Sequence, residues 1–296
     1  MISSVWADIA ESISKASGAA FEPRRASEVG GGCINRAVKL SDGDRCYFVK
    51  ATDPSAASMF EAERDGLADL LGAGCLRVPA PVTCGTTDDA AFLVLEYIPM
   101  TSLSGRGWAR LGEGLAALHA GIQPAFGWRR ENTIGSTPQI NHPATDWVGF
   151  WREHRLGYQL GLAARNGLDD STIRQGQRLL DRFDSLFERY EPRPSLLHGD
   201  LWSGNVAADE NGDPVLFDPA VYYGDRETDI AMSELFGRFD RRFYDAYQSA
   251  WPLDPGYEQR RMLYQLYHVL NHYNLFGGSY AGQARGMIDR LLAALG

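Results

Sequence analysis

The amino-acid sequence predicts an α+β fold of two lobes, a small β-rich N-terminal lobe and a larger, mainly helical C-terminal lobe. Strand-forming apolar runs are concentrated in the first third of the 296-residue chain, whereas helical periodicity dominates the rest. A stretch at 99–107 that is rich in Pro, Ser and Gly lies between these regions and is predicted to be the linker. We therefore assign an N-terminal lobe to 1–98 and a C-terminal lobe to 99–296.

The N-terminal lobe is predicted to begin with a helix that strands follow. Apolar side chains recur at helical spacing in the first residues, with acidic ones between them, which indicates an amphipathic helix over 3–17 rather than a signal peptide. The other elements predicted in this lobe are strands between about 20 and 50, a helix over 55–72, and strands near 81–85 and 91–96.

The C-terminal lobe is predicted to be mostly helical, because apolar residues recur there at helical spacing over long segments. A loop and a hairpin at 195–218 interrupt the helices. The predicted helices cover 107–120, 145–165, 171–189, 227–236, 240–250, 256–276 and 281–295.

The most informative chemical signal is the segment 198–205, followed by Asp218. Asp200 and Asn205 are five residues apart, which suits opposite ends of a loop, and 214–217 predicts a short strand that ends at Asp218. This is the layout of a phosphoryl-transfer site, in which one Asp accepts a hydroxyl proton while an Asn and a second Asp hold magnesium. A polar turn before an ordinary hairpin is the alternative, and the combined spacing favours the phosphoryl-transfer site.

A second signal is the run Gly30, Gly31, Gly32, which is followed by Cys33. Consecutive glycines let backbone N–H groups approach phosphate oxygens, although such runs also mark ordinary turns. The run has neither the spacing of a dinucleotide fingerprint nor the ending of a Walker loop. Lys50 ends an apolar strand eighteen residues after Gly32 and is one of only three lysines, which favours a phosphate-binding task over a solvated edge position.

The next predicted helix supplies a partner for Lys50. Its apolar residues share one face, and Glu63 lies within that otherwise apolar stripe. A carboxylate on a buried face needs a cationic partner, or it becomes protonated. The sequence therefore predicts an ion pair between Lys50 and Glu63.

Two further features indicate a kinase that acts on small molecules. An apolar strand runs into a Pro-terminated connection at 92–99, and in a two-lobed kinase the backbone of Glu96, Tyr97 and Ile98 would pair there with adenine. The chain after Asp218 enters a helix by about Glu227, which leaves no room for a long activation segment. A protein kinase switched by loop phosphorylation is therefore disfavoured.

Together these motifs resemble the aminoglycoside-phosphotransferase branch of the protein-kinase-like superfamily, and within it the fructosamine kinase (ketosamine-3-kinase) family. The family resemblance is carried by 31–35, 200–205, 223–229 and 271–277, and it extends from about residue 5 to the C terminus. It implies a two-lobed protein-kinase-like fold, ATP and Mg²⁺ as cofactors, and phosphorylation of the third hydroxyl of a ketosamine. The substrate would be a small ketosamine or a glycated protein, and the reaction would lead to deglycation.

Several residues of the second lobe are expected to contact the acceptor. Trp202 lies inside the loop, where its ring could stack on a sugar or pack beneath the loop. Asp225 or Glu227 is expected to face a cationic amine on the substrate, unless both only decorate a helix N-terminus. The resemblance assigns Asp229 to bracing the backbone of the catalytic loop.

His272 and Asn274 belong to the motif at 271–277. His268 and His272 have the i, i+4 spacing of a helical metal site, but no acidic third ligand lies nearby in sequence. A polar stripe lining the acceptor cleft and satisfied core histidines are the two remaining interpretations. The resemblance favours the cleft for His272 and Asn274.

Composition limits the partners. A net charge of −9 argues against nucleic-acid binding, and no apolar run reaches membrane-spanning length. The four cysteines show no metal-ligand spacing and are expected to be free thiols in a reducing, cytoplasmic setting, with an inert Cys33 favoured over a redox-active one. We expect a monomer or weak homodimer.

Two classes of function fit these motifs. The first is an ATP-dependent small-molecule kinase, with a ketosamine as acceptor or, as the alternative, an aminoglycoside or choline. The second is a nucleotide-binding pseudokinase. The sequence disfavours the pseudokinase because it keeps the full set of expected catalytic residues, namely Lys50, Glu63, Asp200, Asn205 and Asp218.

Overall fold

A computed structural model of the chain describes residues 4–30 and 36–296. The chain divides into two compact units, Met1–Gly107 with Val206–Pro219, and Trp108–Asn205 with Ala220–Gly296. The first unit thus extends past residue 98 and also includes a short segment from the predicted C-terminal lobe. The functional division at 98/99 stays a prediction.

The first unit is built on a five-stranded antiparallel sheet. From one edge to the other, its strands are β1 (Arg25–Glu28), β2 (Arg36–Ser41), β3 (Cys46–Thr52), β5 (Ala91–Glu96) and β4 (Pro81–Thr86). The strands and helices predicted for this region are confirmed. They are α1 (Ser4–Ser17), β1 (Arg25–Glu28), β2 (Arg36–Ser41), β3 (Cys46–Thr52), α2 (Ala57–Ala73), β4 (Pro81–Thr86) and β5 (Ala91–Glu96).

Helix α1 buries one apolar face in the core of the first unit. Trp6, Ile9 and Ile13 are buried in one cluster with sheet residues such as Val38 and Val49. Full burial of a large apolar side chain contributes about 1.5–3 kcal/mol, so this face anchors the helix. The amphipathic pattern of the sequence predicts this arrangement.

A hairpin of β9 (Val206–Ala208) and β10 (Pro214–Leu216) also belongs to the first unit. Ala208 and Thr101 exchange two backbone hydrogen bonds of 2.8 Å each, which ties the hairpin to the segment after β5. The predicted hairpin is therefore confirmed, and the first unit positions Asp218, which follows it.

The second unit is mainly helical, as predicted. Its short strands form two antiparallel pairs, Asn132–Ile134 with Thr137–Gln139 and Ser195–Leu197 with Tyr222–Gly224. The remaining elements of the chain are α3 (Arg106–His119), β6 (Asn132–Ile134), β7 (Thr137–Gln139), α4 (Trp147–Trp151), α5 (Tyr158–Arg165), α6 (Asp170–Leu180), β8 (Ser195–Leu197), β11 (Tyr222–Gly224), α7 (Glu227–Ser233), α8 (Arg241–Ala250), α9 (Tyr257–Phe276) and α10 (Tyr280–Ala294).

The second unit departs from the sequence prediction in several places, and one of them is the unpredicted pair of strands Ser195–Leu197 and Tyr222–Gly224. The helix predicted over 145–165 is interrupted by a π-helical turn, Arg152–Gly157, between α4 and α5. The helix predicted over 171–189 ends at Leu180, and a 3₁₀ turn, Phe183–Phe187, follows it. The hairpin of β6 and β7 was not predicted, because strands of three residues are too short to show an alternating pattern.

Across the two described stretches of chain, no helix combines the length and the apolar character that crossing a membrane requires.

Candidate active site

Lys50 is the centre of a charged group in the first unit. Its Nζ lies 2.6 Å from Glu63 Oε1 and 2.6 Å from Asp218 Oδ1. Strand β3 carries Lys50, helix α2 carries Glu63, and Asp218 follows β10. The predicted pairing of Lys50 with Glu63 is thus present in the structure, and Asp218 is the second anion on the same ammonium group.

Burial and neighbouring charge oppose each other at this group. Burial lowers the pKa of Lys50, which is 7% exposed, but the charges of Glu63 and Asp218 outweigh burial and raise that pKa above its usual value. Burial is also the main reason why the pKa of Glu63 is raised, against the opposing charge of Lys50. Lys50 is therefore a cation at neutral pH, as a phosphate-binding lysine must be.

Asp218 has an unusual backbone conformation. Its φ of 53° makes it the one non-glycine residue with positive φ among those that the structure describes. This region costs a non-glycine residue about 1–3 kcal/mol, although Asp tolerates it better than most. The Asp218 side chain is 49% exposed, in contrast to Lys50 beside it. An exposed carboxylate held on a strained turn is well placed to bind a ligand.

Asp200 and Asn205 are in direct contact in the second unit. Asn205 is 5% exposed, and its Nδ2 donates to Asp200 O at 2.9 Å and to Asp200 Oδ2 at 3.1 Å. This bond fixes the orientation of the Asp200 carboxylate. Because the amide nitrogen faces Asp200, the amide oxygen of Asn205 faces away from it. The loop therefore offers an oriented carboxylate and a separate amide oxygen.

Asp229, in α7, braces the backbone that leads to Asp200. It is 1% exposed, and its carboxylate accepts from His198 N–H at 2.8 Å and from Gly199 N–H at 2.9 Å. His119 Nε2 lies 3.2 Å from the same carboxylate. Burial acts to raise the pKa of Asp229, but these partners, His119 foremost, hold it below the usual value. Nothing in the sequence marks His119 for this position.

The predicted phosphate loop is only partly described. Gly31, Gly32 and Cys33 lie outside the described residues, and Gly30 is the last residue before that gap. Their nucleotide-binding role stays a prediction.

The predicted hinge begins at the end of β5. Glu96 N–H donates to Ala80 O at 2.8 Å and is therefore already engaged in a backbone hydrogen bond. The Glu96 carboxylate forms an ion pair with Arg77. The carbonyl of Glu96 and the backbone of Tyr97 and Ile98 are the groups predicted to meet adenine.

The structure contradicts the expectation that Asp225 or Glu227 faces a substrate amine. Both residues are 0% exposed. Asp225 accepts hydrogen bonds from Tyr190 and Tyr264, and Glu227 forms a bidentate pair with Arg260 at 2.7 and 3.0 Å. Burial raises the pKa of Asp225. The charge that Glu227 balances is thus an internal guanidinium, and neither carboxylate is available to the acceptor.

Trp202 joins an aromatic group at one surface of the second unit. The centroid of its ring lies 6.3 Å from that of Phe236, and the two rings meet edge to face. The ring centroids of Phe236 and His272 are 4.5 Å apart. Around His272, the rings of Tyr280 and Phe276 follow at 5.1 and 5.6 Å. Phe276 is 60% exposed. The group therefore presents aromatic surface beside the loop of Asp200, and Phe236 and Tyr280 are members that sequence reasoning missed.

His272 and Asn274 differ in their surroundings. His272 Nδ1 lies 2.8 Å from His268 O, and burial lowers the pKa of His272, so its ring is neutral at neutral pH. Asn274 Nδ2 donates to Gln159 O at 3.0 Å and to Gln159 Oε1 at 2.7 Å, and its oxygen accepts from Asn166 at 3.1 Å. The predicted acceptor contact of Asn274 is corrected to a link between α9 and α5, because both ends of its amide are engaged there.

Each of the two predicted magnesium ligands, taken by itself, offers the type of donor atom that magnesium prefers. Among residues 4–30 and 36–296, no three His, Cys, Asp or Glu side chains are grouped to hold a metal ion. Magnesium needs no such group, since it is commonly bound by one or two protein oxygens, substrate phosphates and water. The amide oxygen of Asn205 and the carboxylate of Asp218 are hard oxygen donors of this type.

Comparisons with known proteins agree on one family. A model of the family "Fructosamine kinase" matches residues 5–294. The chain is 45% identical to a probable ketoamine kinase of Synechocystis sp., over 97% of both chains. It is 43% identical to a chloroplastic protein-ribulosamine 3-kinase of Arabidopsis thaliana, over 94% of this chain and 86% of the relative.

A crystal structure of a "putative fructosamine-3-kinase" from Haemophilus somnus has the same fold, with a TM-score of 0.90 and 30% identity over 97% of both chains. The predicted α+β, protein-kinase-like fold is thereby confirmed.

Proposed function

The chain belongs to the fructosamine kinase family, and on that premise we propose that it transfers the γ-phosphoryl group of ATP to the 3-hydroxyl of a ketosamine. The family itself makes the chain a phosphotransferase with an alcohol group as acceptor. The acceptor that we propose is a fructosyl or ribulosyl group on a small amine or on a protein lysine. The observation that carries the proposal is the Asp200 carboxylate, held in place by Asn205 at 3.1 Å.

Asp200 is the proposed general base. It accepts the proton of the acceptor hydroxyl as the hydroxyl oxygen attacks the γ-phosphorus, and the bond to the ADP oxygen breaks. Asn205 keeps the carboxylate oriented, and Asp229 holds the backbone before it through two N–H groups. Positioned base catalysis typically contributes about 10²–10⁴-fold to the rate.

Lys50 is the proposed phosphate-binding cation. Glu63 holds the Lys50 ammonium group in place from the α2 side, and a compact ammonium charge attracts phosphate oxygens. Magnesium, when bound, neutralises charge on these oxygens, and Asn205 and Asp218 would hold it. The glycine run and Cys33 would cover the phosphates, and the hinge backbone at Glu96, Tyr97 and Ile98 would bind the adenine.

The aromatic group is the proposed acceptor surface. Trp202 offers a face for stacking on the sugar and for a cation–π contact with the amine. His272 is neutral at neutral pH, because burial lowers its pKa, so it does not repel a cationic amine. With Asp225 and Glu227 buried, the aromatic faces and Asp200 are the groups proposed to recognise the ketosamine.

The proposed product explains a role in deglycation. Its phosphate is on C3, next to the C2 carbonyl. Loss of a proton from C1 gives a 1,2-enaminol, from which the C3–O bond breaks and inorganic phosphate leaves. Hydrolysis of the resulting imine by water then frees the amine. We further propose that this takes place in a reducing, cytoplasmic setting, on free ketosamines or glycated proteins, by a monomer or weak homodimer.

A panel of acceptors tests this proposal. The protein is incubated with MgATP and a fructosamine, a ribulosamine, an aminoglycoside or choline, and ADP and phosphorylated acceptor are measured with and without chelator. We expect magnesium-dependent turnover on the ketosamines. Robust turnover on the aminoglycoside or choline, with none on either ketosamine, would move the assignment to that alternative. ATP binding without turnover on any acceptor would indicate a pseudokinase.

A further inference from the structure

The second unit contains a buried chain of polar side chains outside the residues discussed above. It joins the hairpin of β6 and β7 to the backbone just before β11. Its members are Asn132, Gln139, Asn141 and Arg155, which are 9%, 1%, 1% and 0% exposed. Buried amides are costly unless their hydrogen bonds are satisfied, so a set of this size calls for a specific reason.

The hydrogen bonds among these buried side chains all point the same way, each donated from the Arg155 side toward Val221. Arg155 can only donate, and its Nη2 donates to Asn141 Oδ1 at 2.8 Å. The Asn141 amide nitrogen must therefore face away from Arg155, and it donates to Asn132 Oδ1 at 2.8 Å. The Asn132 amide nitrogen in turn donates to Val221 O at 2.8 Å. The guanidinium thus sets the orientation of both amides.

Gln139 donates a hydrogen bond to the backbone carbonyl of Ala220, the residue before Val221. Its Nε2 donates to Ala220 O at 3.1 Å and to Asn132 Oδ1 at 2.9 Å, while its Oε1 accepts from Tyr267 at 2.8 Å. Two successive backbone carbonyls, those of Ala220 and Val221, are therefore held by side chains of one hairpin.

Ala220 is in contact with the catalytic loop. Its N–H donates to His198 O at 2.9 Å. Gly199 lies so close that a Cβ on it would be 2.0 Å from Ala220 O. Gln139 therefore holds the Ala220 carbonyl, and Gly199, the residue before Asp200, packs against that same carbonyl. Displacement of Ala220 would displace the backbone that carries the base.

We propose that Gln139 and Asn132 are positioning residues for Asp200, with Arg155 fixing their amide orientation. They act through the Ala220–Val221 backbone and do not touch the substrate. The inference rests on the proposed function for its kinetic readout, and on the structure alone for its hydrogen-exchange readout.

The test compares Gln139→Leu with Thr137→Val. Thr137 is a buried residue of the same hairpin, and its replacement is nearly isosteric. Gln139→Leu removes both donated hydrogen bonds, so kcat should fall about 10- to 100-fold, since misplacement by about 1 Å can cost 10²-fold. KM for ATP should stay within about twofold. Gln139→Glu, whose buried carboxyl should be protonated and able to donate, should recover part of kcat. Thr137→Val should keep the wild-type kcat.

Two further readouts separate positioning from general stability. In an Asp200→Asn background, Gln139→Leu should have little further effect on kcat, because the base that it positions is already gone. Amide hydrogen exchange of the peptide over 196–201 should accelerate in Gln139→Leu and not in Thr137→Val. If Gln139→Leu does not fold, Asn132→Ser, which removes the donor to Val221, takes its place.

Equal kcat and equal exchange in wild type and Gln139→Leu would overturn the inference, as would full additivity with Asp200→Asn. A wild-type protein that turns over no ketosamine would instead refute the proposed function, and the exchange result would still decide the positioning role.

Discussion

Asp200 is the residue on which the proposed transfer depends most directly. Asp200→Asn keeps the side-chain volume and an acceptor for Asn205 but removes the base. We expect kcat to fall about 10²–10⁴-fold, while the dissociation constant of MgATP by calorimetry changes little. Glu210→Gln, at the exposed tip of the hairpin of β9 and β10, is the control and should be fully active. Turnover near the wild-type rate in Asp200→Asn would refute its assignment as the base.

Lys50 is predicted to matter for both stability and activity. Lys50→Met leaves Glu63 with no cation at 2.6 Å, and stranding one charge of a buried pair commonly costs about 3–5 kcal/mol. Denaturant unfolding should show a loss at the lower end of this range, because Glu63 can become protonated. The double variant Lys50→Met/Glu63→Gln should regain stability but not activity. An unchanged free energy of unfolding in Lys50→Met would contradict the buried pair.

At the residue scale, the sequence predicts which side chains carry the chemistry better than it predicts which side chains are buried. The scarcity of lysine and the apolar stripe around Glu63 are sufficient to pair it with Lys50. The assignment of Asp225 and Glu227 to the substrate was wrong, because both are buried against partners that are distant in sequence. Glu227 pairs with Arg260, 33 residues further along the chain, and Asp225 accepts from Tyr190 and Tyr264. No local pattern announces such a partner.

At the scale of elements, the approach of the loop to the segment before β11 can be tested at Gly199. Gly199 has φ of +83°, and a Cβ there would lie 2.0 Å from Ala220 O. Gly167 has a nearly equal φ of +85°, with nothing within 4 Å of its Cβ position. Gly167→Ala should therefore lower the free energy of unfolding only by the strain of a positive φ, about 1 kcal/mol. Gly199→Ala should lower it further and should also lose most activity. Equal thermal stability of the two variants would show that the close contact does not constrain the loop.

The predictability of elements follows their length. Long periodic helices such as α9 and the strands of the first sheet are visible in sequence, because several turns or alternations repeat. The hairpin of β6 and β7 is not, since each strand has three residues. The π-helical turn Arg152–Gly157 is hidden for a related reason, because a single turn of different hydrogen bonding is too short to leave a pattern of its own in the sequence.

At the scale of the whole molecule, we predict that His268 makes a contribution to stability that is lost as pH falls below about 6.5. Burial lowers the pKa of His268 from 6.5 to about 3, so the folded state keeps it neutral while the unfolded state binds a proton. Between these two values the unfolded state binds the His268 proton and the folded state does not, so the contribution of His268 should fall by up to about 1.4 kcal/mol per pH unit. The pKa of Asp229 is held below its usual value, so its contribution to stability is also lost as pH falls, at a lower pH than that of His268.

Denaturant titrations at several pH values test this linkage. His268→Phe should flatten the acid side of the stability curve, and His142→Asn, at a side chain that is 70% exposed, is the surface control. The same acid slope in His268→Phe and wild type would assign the pH dependence to other groups.

The central claim is that this chain phosphorylates a ketosamine at its third hydroxyl. The most direct measurement is NMR of the product formed from MgATP and a ribulosyl- or fructosyl-lysine derivative, with the Asp200→Asn variant run in parallel. We predict a phosphorus–proton coupling to the hydrogen on C3, followed by loss of the phosphosugar and release of free amine, and no product from the variant. Phosphate on any other hydroxyl, or no phosphosugar under conditions in which the protein binds MgATP, would contradict the claim.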